Sequence, residues 1–354
     1  MARVSFVLPV AGGGGGAHSV VQEATAMRAL GVDATILVNE KNFAGFKRTY
    51  ARFDWVGSDC KVFTGPKDLA ERIEGIDIVF ATTNTSAHSV AEAVAASKKP
   101  QRTGYYVQDY EPLFYEAGSE HWNIALSSFE VLKDCTYFAK TRWLRDIVDA
   151  THRRPVSVVV PSIDHGIYRP ARWPKGTGKR TLCAMVRPQT PRRAPHRTMR
   201  VLARIAAQHG DAVEISAFGA DARDLEAHGV PTYSGIDILG SLLQTQVAEL
   251  LQRSDFFLDL SDYQAFGRTA AEAMACGTVA LAPSVGGASD FIVDGRNSFL
   301  VDTRDEGAVL AAVDKMLTMT DEEIRLMRIA ALEAVASFTP TAAAISELRA
   351  FGFA

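Results

Sequence analysis

The sequence predicts an α/β protein made of two units, each a parallel β-sheet with helices on both faces. Short apolar runs rich in Val, Ile and Phe alternate with helical periodicity along the chain, which is typical of βαβ units. A stretch with turn residues and two prolines, 161–170, interrupts the alternation as a linker would. The length of 354 residues is that of about two ordinary domains.

The first half begins with a buried strand over 4–10, followed by a helix over 18–30 that Gly31 ends. The same alternation of short apolar runs and helical stretches continues to the linker. The remaining predicted elements are strands over 34–38, 76–82, 103–107, 137–139 and 156–160, and helices over 86–97 and 141–150.

The second half repeats the pattern and ends in long helices with an apolar repeat near 3.6 residues. The predicted elements are strands over 181–186, 213–219, 256–260, 279–282 and 298–301, and helices over 198–209, 246–253, 265–274, 288–293, 308–319 and 322–337. Because such sheets bind ligands at the carboxyl ends of their strands, two of these edges predict a cleft between the units.

Composition excludes several classes of protein. Hydrophobic residues make up 47% and charged residues 22%, which excludes a disordered or fibrous chain. The net charge of -3 gives no basis for nucleic-acid binding. No apolar run reaches about 18 residues, so we predict no transmembrane helix.

The cysteines and the N-terminus favour a cytoplasmic protein. The four cysteines form no Cys-x-x-Cys pair, which predicts free thiols and no metal site. The apolar start lacks the basic region and cleavage site of a signal peptide, and it is better explained as the first strand. The eight histidines show no metal-ligand spacing.

A glycine run, Gly12–Gly16, lies between the first strand and its helix. Glycines at this place allow backbone N–H groups to approach a phosphate, and the helix N-terminus adds a favourable field. The run is neither a Gly-x-Gly-x-x-Gly fingerprint nor a P-loop. The alternative is a tight, mobile turn.

A polar and aromatic segment, Gln108–Tyr115, follows the strand that ends at Val107. Its carboxylates and amide suit sugar hydroxyls, and its rings suit the apolar face of a sugar. The alternative is a structured loop in which Asp109 caps the next helix.

Arg187, Arg192 and Arg193 follow the strand over 181–186 and are placed to bind a pyrophosphate. We expect three later arginines, at 197, 200 and 204, to form a solvated helix face.

The most informative stretch is 261–277, in which a strand end, a Gly-containing turn and a helix follow one another. Backbone N–H groups at the helix start can hold phosphate oxygens. Gln264 and Glu272 are placed to point into one pocket, where Glu272 can bond both hydroxyls of a ribose. The alternative for Glu272 is an exposed helical glutamate. Gly286 and Gly287 repeat the loop pattern after the next strand.

The second half resembles the retaining family-4 glycosyltransferases of the GT-B fold. The family carries two acidic positions eight residues apart around Gly-Phe-Gly and before Ala-Met-Ala-x-Gly, and the corresponding positions here are 264 and 272. The 160–170 linker is similar to the family's crossover, and the segments 108–112 and 187–193 look like the bacterial rhamnosyltransferase branch. The matching residues are Phe266, Gly267, Glu272, Ala273, Met274, Ala275, Gly277, Gly286, Gly287 and Asp294–Val301.

The resemblance implies an N-terminal acceptor-side domain over 1–163, a donor domain over 164–337, and a final helix within 338–354 that packs back on the first domain. It implies metal-independent catalysis, in which Glu272 holds the donor ribose and Arg187 and Arg193 neutralise the diphosphate. Gln108 and Asp109 complete the implied catalytic set. The implied donor-binding residues are Gly13, Gly14, Gly15, Gly16, Gln264, Ala265, Phe266, Gly267, Arg268, Thr269, Glu272, Gly286 and Gly287.

Two departures from the family bear on the donor. Gln264 stands where the family has its first Glu, and Gln108 stands where it has a His that commonly contacts the hexose 6-hydroxyl. A 6-deoxy sugar lacks that hydroxyl, so the expected donor is dTDP-L-rhamnose, used without a further cofactor. The same two substitutions are compatible with a weakened or inactive enzyme.

The expected activity is transfer of that sugar, with retention, to a bacterial surface glycan or lipid-linked acceptor. Alternatives are a UDP- or GDP-hexose transferase, a sugar epimerase, an inactive sugar-nucleotide-binding scaffold and, least favoured, a dinucleotide-dependent oxidoreductase. A basic surface with an aromatic anchor would suit peripheral contact with the inner face of the plasma membrane; solvated surface is the alternative. Its residues are Arg142, Trp143, Arg145, Arg153 and Arg154.

Overall fold

The computed structural model describes residues 2–99, 101–171 and 178–353. The chain divides into two compact units: unit 1 is Met1–Ser162 with Phe338–Ala354, and unit 2 is Ile163–Ser337. The division points lie within one residue of the predicted boundaries after 163 and 337. Each unit holds a wholly parallel sheet, so the predicted fold class is confirmed.

In the described part of unit 1, seven parallel strands lie in the order β3-β2-β1-β4-β5-β6-β7. Both faces are covered, and the core includes Phe6, Val20, Ile36 and Phe138. The strands are β1 (Arg3–Val7), β2 (Asp33–Asn39), β3 (Lys61–Phe63), β4 (Ile78–Ala81), β5 (Arg102–Val107), β6 (Thr136–Ala139) and β7 (Val156–Val158). The helices are α1 (Gly15–Ala29), α2 (Glu40–Thr49), α3 (Asp54–Ser58), α4 (Pro66–Arg72), α5 (Asn84–Ala96), α6 (Glu120–Ser127) and α7 (Arg142–His152).

The described part of unit 2 holds six parallel strands in the order β10-β9-β8-β11-β12-β13. Its core packs strand residues such as Leu182 and Phe256 against Leu202 and Val313 of the helices. The strands are β8 (Arg180–Met185), β9 (Val213–Phe218), β10 (Asp237–Ile238), β11 (Phe256–Leu258), β12 (Val279–Pro283) and β13 (Phe299–Val301). The helices are α8 (Pro195–His209), α9 (Ala222–Ala227), α10 (Gln244–Arg253), α11 (Arg268–Ala275), α12 (Glu306–Thr318) and α13 (Asp321–Val335).

The final helix, α14 (Pro340–Ala350), belongs to unit 1. Phe351 at its end packs edge-on against Phe80 and Phe138, with ring centroids 4.8 and 5.7 Å apart. Gly104 of β5 makes room for this ring, since a methyl group there would lie 2.5 Å from Phe351.

The elements that sequence patterns missed are short or lie at a sheet edge. Helices α2, α3, α4, α6 and α9 and strands β3 and β10 were not predicted. Their apolar signal is weak: only Phe46 of α2 and Val56 of α3 are buried. Strand β10 has two residues, so pairing with its neighbour and not its own periodicity defines it.

One stretch, Asp321–Ala350, is long and apolar enough to cross a membrane by length and composition alone. The structure divides it into α13, of 15 residues, and α14, of 11 residues. Both are shorter than the about 20 residues that a bilayer core requires. Thr339 caps α14 by accepting the N–H of Ala342, and Pro340 opens the helix.

A buried ionic cluster connects α14 to the rest of unit 1. Glu23 of α1 is fully buried, and Lys140 Nζ lies 2.9 Å from its Oε1. Oε1 also accepts the hydroxyls of Ser162, at 2.6 Å, and Tyr106, at 3.2 Å. Glu347 of α14 is fully buried beside this group, and burial first, then the charge of Glu23, hold its pKa well above the usual range.

We expect unit 1 to lose stability as the pH rises from about 4.5 toward the raised pKa of Glu347. Above pH 4.5 the unfolded chain has released the proton that folded Glu347 retains, so unfolding releases a proton. The free energy of unfolding then falls by up to about 1.4 kcal/mol per pH unit. Glu347→Gln removes this dependence, and urea denaturation between pH 5 and 9 measures it.

The matched control is Glu333→Gln, an exposed glutamate on α13. It should leave the pH profile of the native chain in place. An unchanged slope in Glu347→Gln would show that Glu347 is ionised in the folded protein.

Candidate functional site

In unit 1 the carboxyl ends of β1, β4 and β5 are adjacent, and they bring the glycine run together with Gln108. The Gln108 amide donates from Nε2 to the carbonyl of Thr82, at 3.1 Å, beyond the end of β4. Its Oε1 lies over Gly16, where an added methyl group would be 2.2 Å away. A side chain at position 16 would therefore displace the Gln108 amide from this position.

The glycine run is held on one side by Tyr50, a residue that sequence analysis did not single out. The Gly13 N–H donates to the Tyr50 hydroxyl at 3.3 Å. Gly12 has a positive φ of 93°, and a methyl group there would lie 2.7 Å from the Tyr50 ring. Helix α1 begins after Gly14 without a capping side chain, which leaves its first N–H groups suited to an anionic ligand.

Several side chains of the Gln108–Tyr115 segment bond the protein itself. Asp109 accepts the N–H of its neighbour Tyr110 at 2.9 Å, and no side chain caps the 3₁₀ turn Glu111–Phe114; the alternative of Asp109 as a helix cap is therefore wrong. Glu111 accepts the N–H of Asn84 at 2.7 Å and so caps α5. Leu113, Phe114 and Tyr115 are exposed.

In unit 2 the ends of β8 and β11 are adjacent, and their loops are joined by hydrogen bonds. The Asp262 N–H donates to the carbonyl of Arg192 at 2.8 Å. Arg197 donates to the carbonyl of Leu260, at 2.7 Å, and to Asp262, at 2.8 Å. The expectation that Arg197 belongs to a solvated face is wrong: from the first turns of α8 it reaches back to hold the β11 loop. Arg200 and Arg204 do lie at the surface, where both bond Glu306.

Two arginines of the β8 loop differ in their surroundings. Arg193 Nη1 lies 3.9 Å from Oδ2 of the buried Asp259. Arg187 directly follows Val186 after the end of β8, and among the described residues no carboxylate lies within ion-pair distance of it. Desolvation first, and then the charge of Arg192, lower the pKa of Arg187. A positive group in such surroundings favours an anionic ligand.

Helix α11 begins at Arg268, three residues later than predicted, because Gly267 takes the left-handed conformation with φ of 88° and serves as its N-cap. No side chain caps this helix start. Glu272 is 5% exposed, with Arg268 Nη1 3.5 Å from its Oε1, so the alternative of an exposed glutamate is wrong. Burial raises the pKa of Tyr168, and the nearby charge of Glu272 adds to the effect.

The loop after β12 packs directly on Gln264. Gly287 donates its N–H to the Gln264 carbonyl at 2.8 Å. Gly286 has φ of 117°, and a methyl group there would lie 2.1 Å from that carbonyl oxygen. Ala265 and Phe266 are buried, and Thr269 is half-buried in the first turn of α11. The structure therefore brings the predicted residues 264–269, 286 and 287 together in unit 2.

Two other predictions concern metal ions and lipid. In residues 2–99, 101–171 and 178–353, no group of three His, Cys, Asp or Glu side chains is placed to hold a metal ion. The four cysteines are free, and burial raises the pKa of Cys60 and Cys135 to about 12. In the predicted basic surface, Trp143 is half-buried and Arg145 pairs with Asp146 at 2.8 Å; membrane contact stays a prediction.

Part of the second unit matches a known family of sequences. Residues 179–319 match the family model "Glycosyl transferases group 1". The chain is 29% identical over 223 residues, 61% of its length, to the O-antigen biosynthesis protein RfbC of Myxococcus xanthus. It is 35% identical over 107 residues, 30% of its length, to a D-inositol 3-phosphate glycosyltransferase of Stackebrandtia nassauensis. The matches span only 16% and 24% of those two proteins.

Comparison with solved structures shows the same fold. Anabaena HepE, in complex with UDP and glucose, superimposes with a TM-score of 0.81 at 15% identity and covers 99% of this chain and 100% of its own. Sucrose-phosphate synthase of Thermosynechococcus elongatus gives a TM-score of 0.77 at 14% identity, covering 99% and 98%. At these identities the likeness shows the fold alone, which is the GT-B fold with two Rossmann-like parallel-sheet domains.

Proposed function

We propose that this chain, whose second unit matches the glycosyl transferases group 1 family and whose fold is GT-B, transfers a sugar from a nucleoside-diphosphate sugar to a glycan acceptor. The relatives and structural neighbours named for glycosyl transfer support the reaction class. Within the molecule, the observation that carries the proposal is the edge of unit 2 after β8, β11 and β12. This edge brings together Arg187 and Arg193, the start of α11, which no side chain caps, and the buried Glu272.

The arginines and the helix start suit a diphosphate. Arg187 has no carboxylate partner among the described residues, and desolvation first, then the charge of Arg192, lower its pKa. Backbone N–H groups at the start of α11 add donors that carry no side-chain cap. We assign these groups to the two phosphates, where Arg187 and Arg193 stabilise the charge that develops as the leaving group departs.

Glu272 is assigned to the ribose. The buried Glu272 carboxylate has two oxygens, which can accept one hydrogen bond from each ribose hydroxyl, and Arg268 Nη1 lies 3.5 Å from its Oε1. In unit 1 we assign Gln108 and Asp109 to sugar hydroxyls, and the Gly13–Gly16 backbone to an oxygen-rich ligand beside them.

The proposed transfer proceeds with retention and needs no protein nucleophile. The bond from the anomeric carbon to the phosphate oxygen breaks, the bond to the acceptor oxygen forms on the same face, and the leaving phosphate takes the acceptor proton. The chain supplies positioning and charge stabilisation. In this scheme the arginines supply the positive charge that a metal ion would otherwise provide, so we propose that transfer is metal-independent.

The donor sugar is the finer part of the proposal. Gln108 is compatible with L-rhamnose from dTDP-L-rhamnose, since a 6-deoxy sugar needs no partner at the 6-position. The names of the relatives found by sequence do not mention rhamnose. HepE was solved with UDP-glucose and with UDP and glucose. A UDP- or GDP-hexose is accordingly the competing donor class. We propose a bacterial surface glycan, or its lipid-linked precursor in the cytoplasm, as the acceptor.

The test is a panel of dTDP-L-rhamnose, UDP-glucose, GDP-mannose and NAD, offered to the purified chain with EDTA present. Thermal stabilisation reports binding, and slow release of the nucleoside diphosphate reports turnover. Selective stabilisation by one sugar nucleotide, with loss of both signals in Glu272→Ala, is the expected result. Glu249→Ala, an exposed glutamate on α10, is the matched control.

Each other result has a definite meaning. Response to a UDP- or GDP-sugar instead of dTDP-L-rhamnose keeps the transferase proposal and overturns the 6-deoxy donor. Stabilisation without turnover, even with glycan acceptors added, favours the inactive sugar-nucleotide-binding scaffold. Response to NAD alone favours the oxidoreductase, and no response to any sugar nucleotide contradicts the proposed function.

A further inference from the structure

Asp259 is a buried carboxylate at the centre of the unit 2 edge, and sequence analysis did not single it out. It follows the last residue of β11 and continues the strand pairing by donating its N–H to the Leu281 carbonyl at 2.8 Å. The residue is only 5% exposed. A carboxylate in such a place costs free energy unless hydrogen bonds and a cation satisfy it.

Both carboxylate oxygens of Asp259 are engaged by residues of the proposed donor site. Oδ1 accepts from the Ser261 N–H, at 3.1 Å, and from the Ser261 hydroxyl, at 2.5 Å. Oδ2 accepts from Gln264 Nε2 at 2.6 Å. Arg193 Nη1 lies 3.9 Å from Oδ2, and in the part of the chain that the structure describes it is the only cation within ion-pair distance of Asp259.

The amide of Gln264 is matched to this carboxylate. Nε2 donates to Asp259 and also to the Ser261 hydroxyl, at 3.0 Å, so both amide hydrogens have acceptors. A glutamate at 264 has no hydrogen to donate and would place a second carboxylate about where the amide now stands. Like charges at that distance disfavour ionisation of one of them. Gln264 is also fixed through its backbone by Gly287.

We propose that Asp259 is the positioning residue of the donor site: its carboxylate orients Arg193 toward the diphosphate and requires an amide at position 264. This inference rests on the proposed function. It explains the glutamine at 264 as the amide half of an amide–carboxylate pair with Asp259. The site thus holds a buried carboxylate at 259 beside the amide at 264.

The pairing is tested first without ligand, on the full chain. Gln264→Glu should lower the melting temperature, because two carboxylates then face each other. The double variant Asp259→Asn with Gln264→Glu restores one amide and one carboxylate, and it should recover most of the loss. A double variant no more stable than Gln264→Glu would overturn the pairing, whatever the chain binds.

The positioning of Arg193 is tested by comparing nucleoside diphosphates with monophosphates. The probes are UDP and UMP, dTDP and dTMP, and GDP and GMP, with dissociation constants measured by calorimetry at a temperature where each variant is folded. Asp259→Asn should weaken diphosphate binding by at least about tenfold. It should leave monophosphate binding unchanged, because Arg193 serves the second phosphate.

A merely structural role for Asp259 would weaken both classes of nucleotide together, and this result would overturn the inference. So would an unchanged preference for the diphosphate in Asp259→Asn while the native chain binds as proposed. Asp302→Asn, at an exposed aspartate after β13, should behave like the native chain. If the native chain binds none of the six probes, the proposed function and the positioning role are both wrong, whereas the ligand-free pairing result stands separately.

Discussion

Replacing Arg193 by alanine is expected to lower kcat/KM for the nucleotide sugar by about 100- to 1,000-fold, the usual cost of removing one charge-stabilising donor from a transition state. The guanidinium extends from the loop after β8, and its Nη1 lies 3.9 Å from the Asp259 carboxylate. Its loss removes a cation from the proposed diphosphate site and takes away the ion-pair partner of the buried Asp259. Initial rates at varied donor concentration measure the effect.

Arg193→Lys is expected to recover part of the activity, since a lysine retains the charge but not the two-pronged geometry of a guanidinium. Arg200→Ala is the matched control, because Arg200 lies on the next helix, exposed, and bonds Glu306 at the surface. Equal kcat/KM in Arg193→Ala and Arg200→Ala would contradict the assignment of Arg193 to the diphosphate.

Replacing Lys140 by methionine is expected to destabilise unit 1 by about 3–5 kcal/mol, the cost of leaving a buried charge without its partner. Lys140 is 7% exposed and lies 2.9 Å from the fully buried Glu23. It also donates to Ser19, at 2.5 Å, and Ser162, at 3.2 Å. Methionine fills a similar volume, so lost packing contributes little to the effect.

Differential scanning calorimetry of the full chain measures this change, expected as a drop of about 6–20 °C for a unit of this size. The control is Arg145→Met, whose side chain forms a surface pair with Asp146 and should shift the transition by about 1 kcal/mol or less. A small shift in Lys140→Met would mean that Glu23 becomes protonated at little cost.

Sequence patterns located the strands of both sheets well wherever the strands are buried. Buried parallel strands are continuous apolar runs, so β1, β5, β8 and β12 stood out within one to three residues of their ends. The short helices between β2 and β4 bury few residues, and their ends are set by packing. The start of α11 was misplaced because Gly267 takes a positive φ, which residue type permits but does not require.

In the candidate site too, local sequence patterns predicted some features, and contacts between residues distant in sequence decided the others. Motif spacing placed Gln264 and the two glycines on loops that follow strands, and Glu272 in the helix between those loops, because turns and helix starts follow strand ends along the chain. No spacing connected Arg197 with the β11 loop, or Glu111 with the start of α5, because each contact joins residues distant in sequence. Asp259 lies inside the predicted strand over 256–260, between Leu258 and Leu260, so the local pattern gives it no role beyond the strand.

The sequence by itself determined the fold class, the two units and the loops on which the polar side chains lie, because hydrophobic periodicity and glycine placement act locally along the chain. Only the tertiary structure decided which of those side chains serve the fold and which remain directed to a ligand. Burial and strand order set the partners of Asp259, Lys140 and Glu347. A buried charge must be satisfied by whatever the packing brings within reach, and that neighbour is not encoded in local pattern.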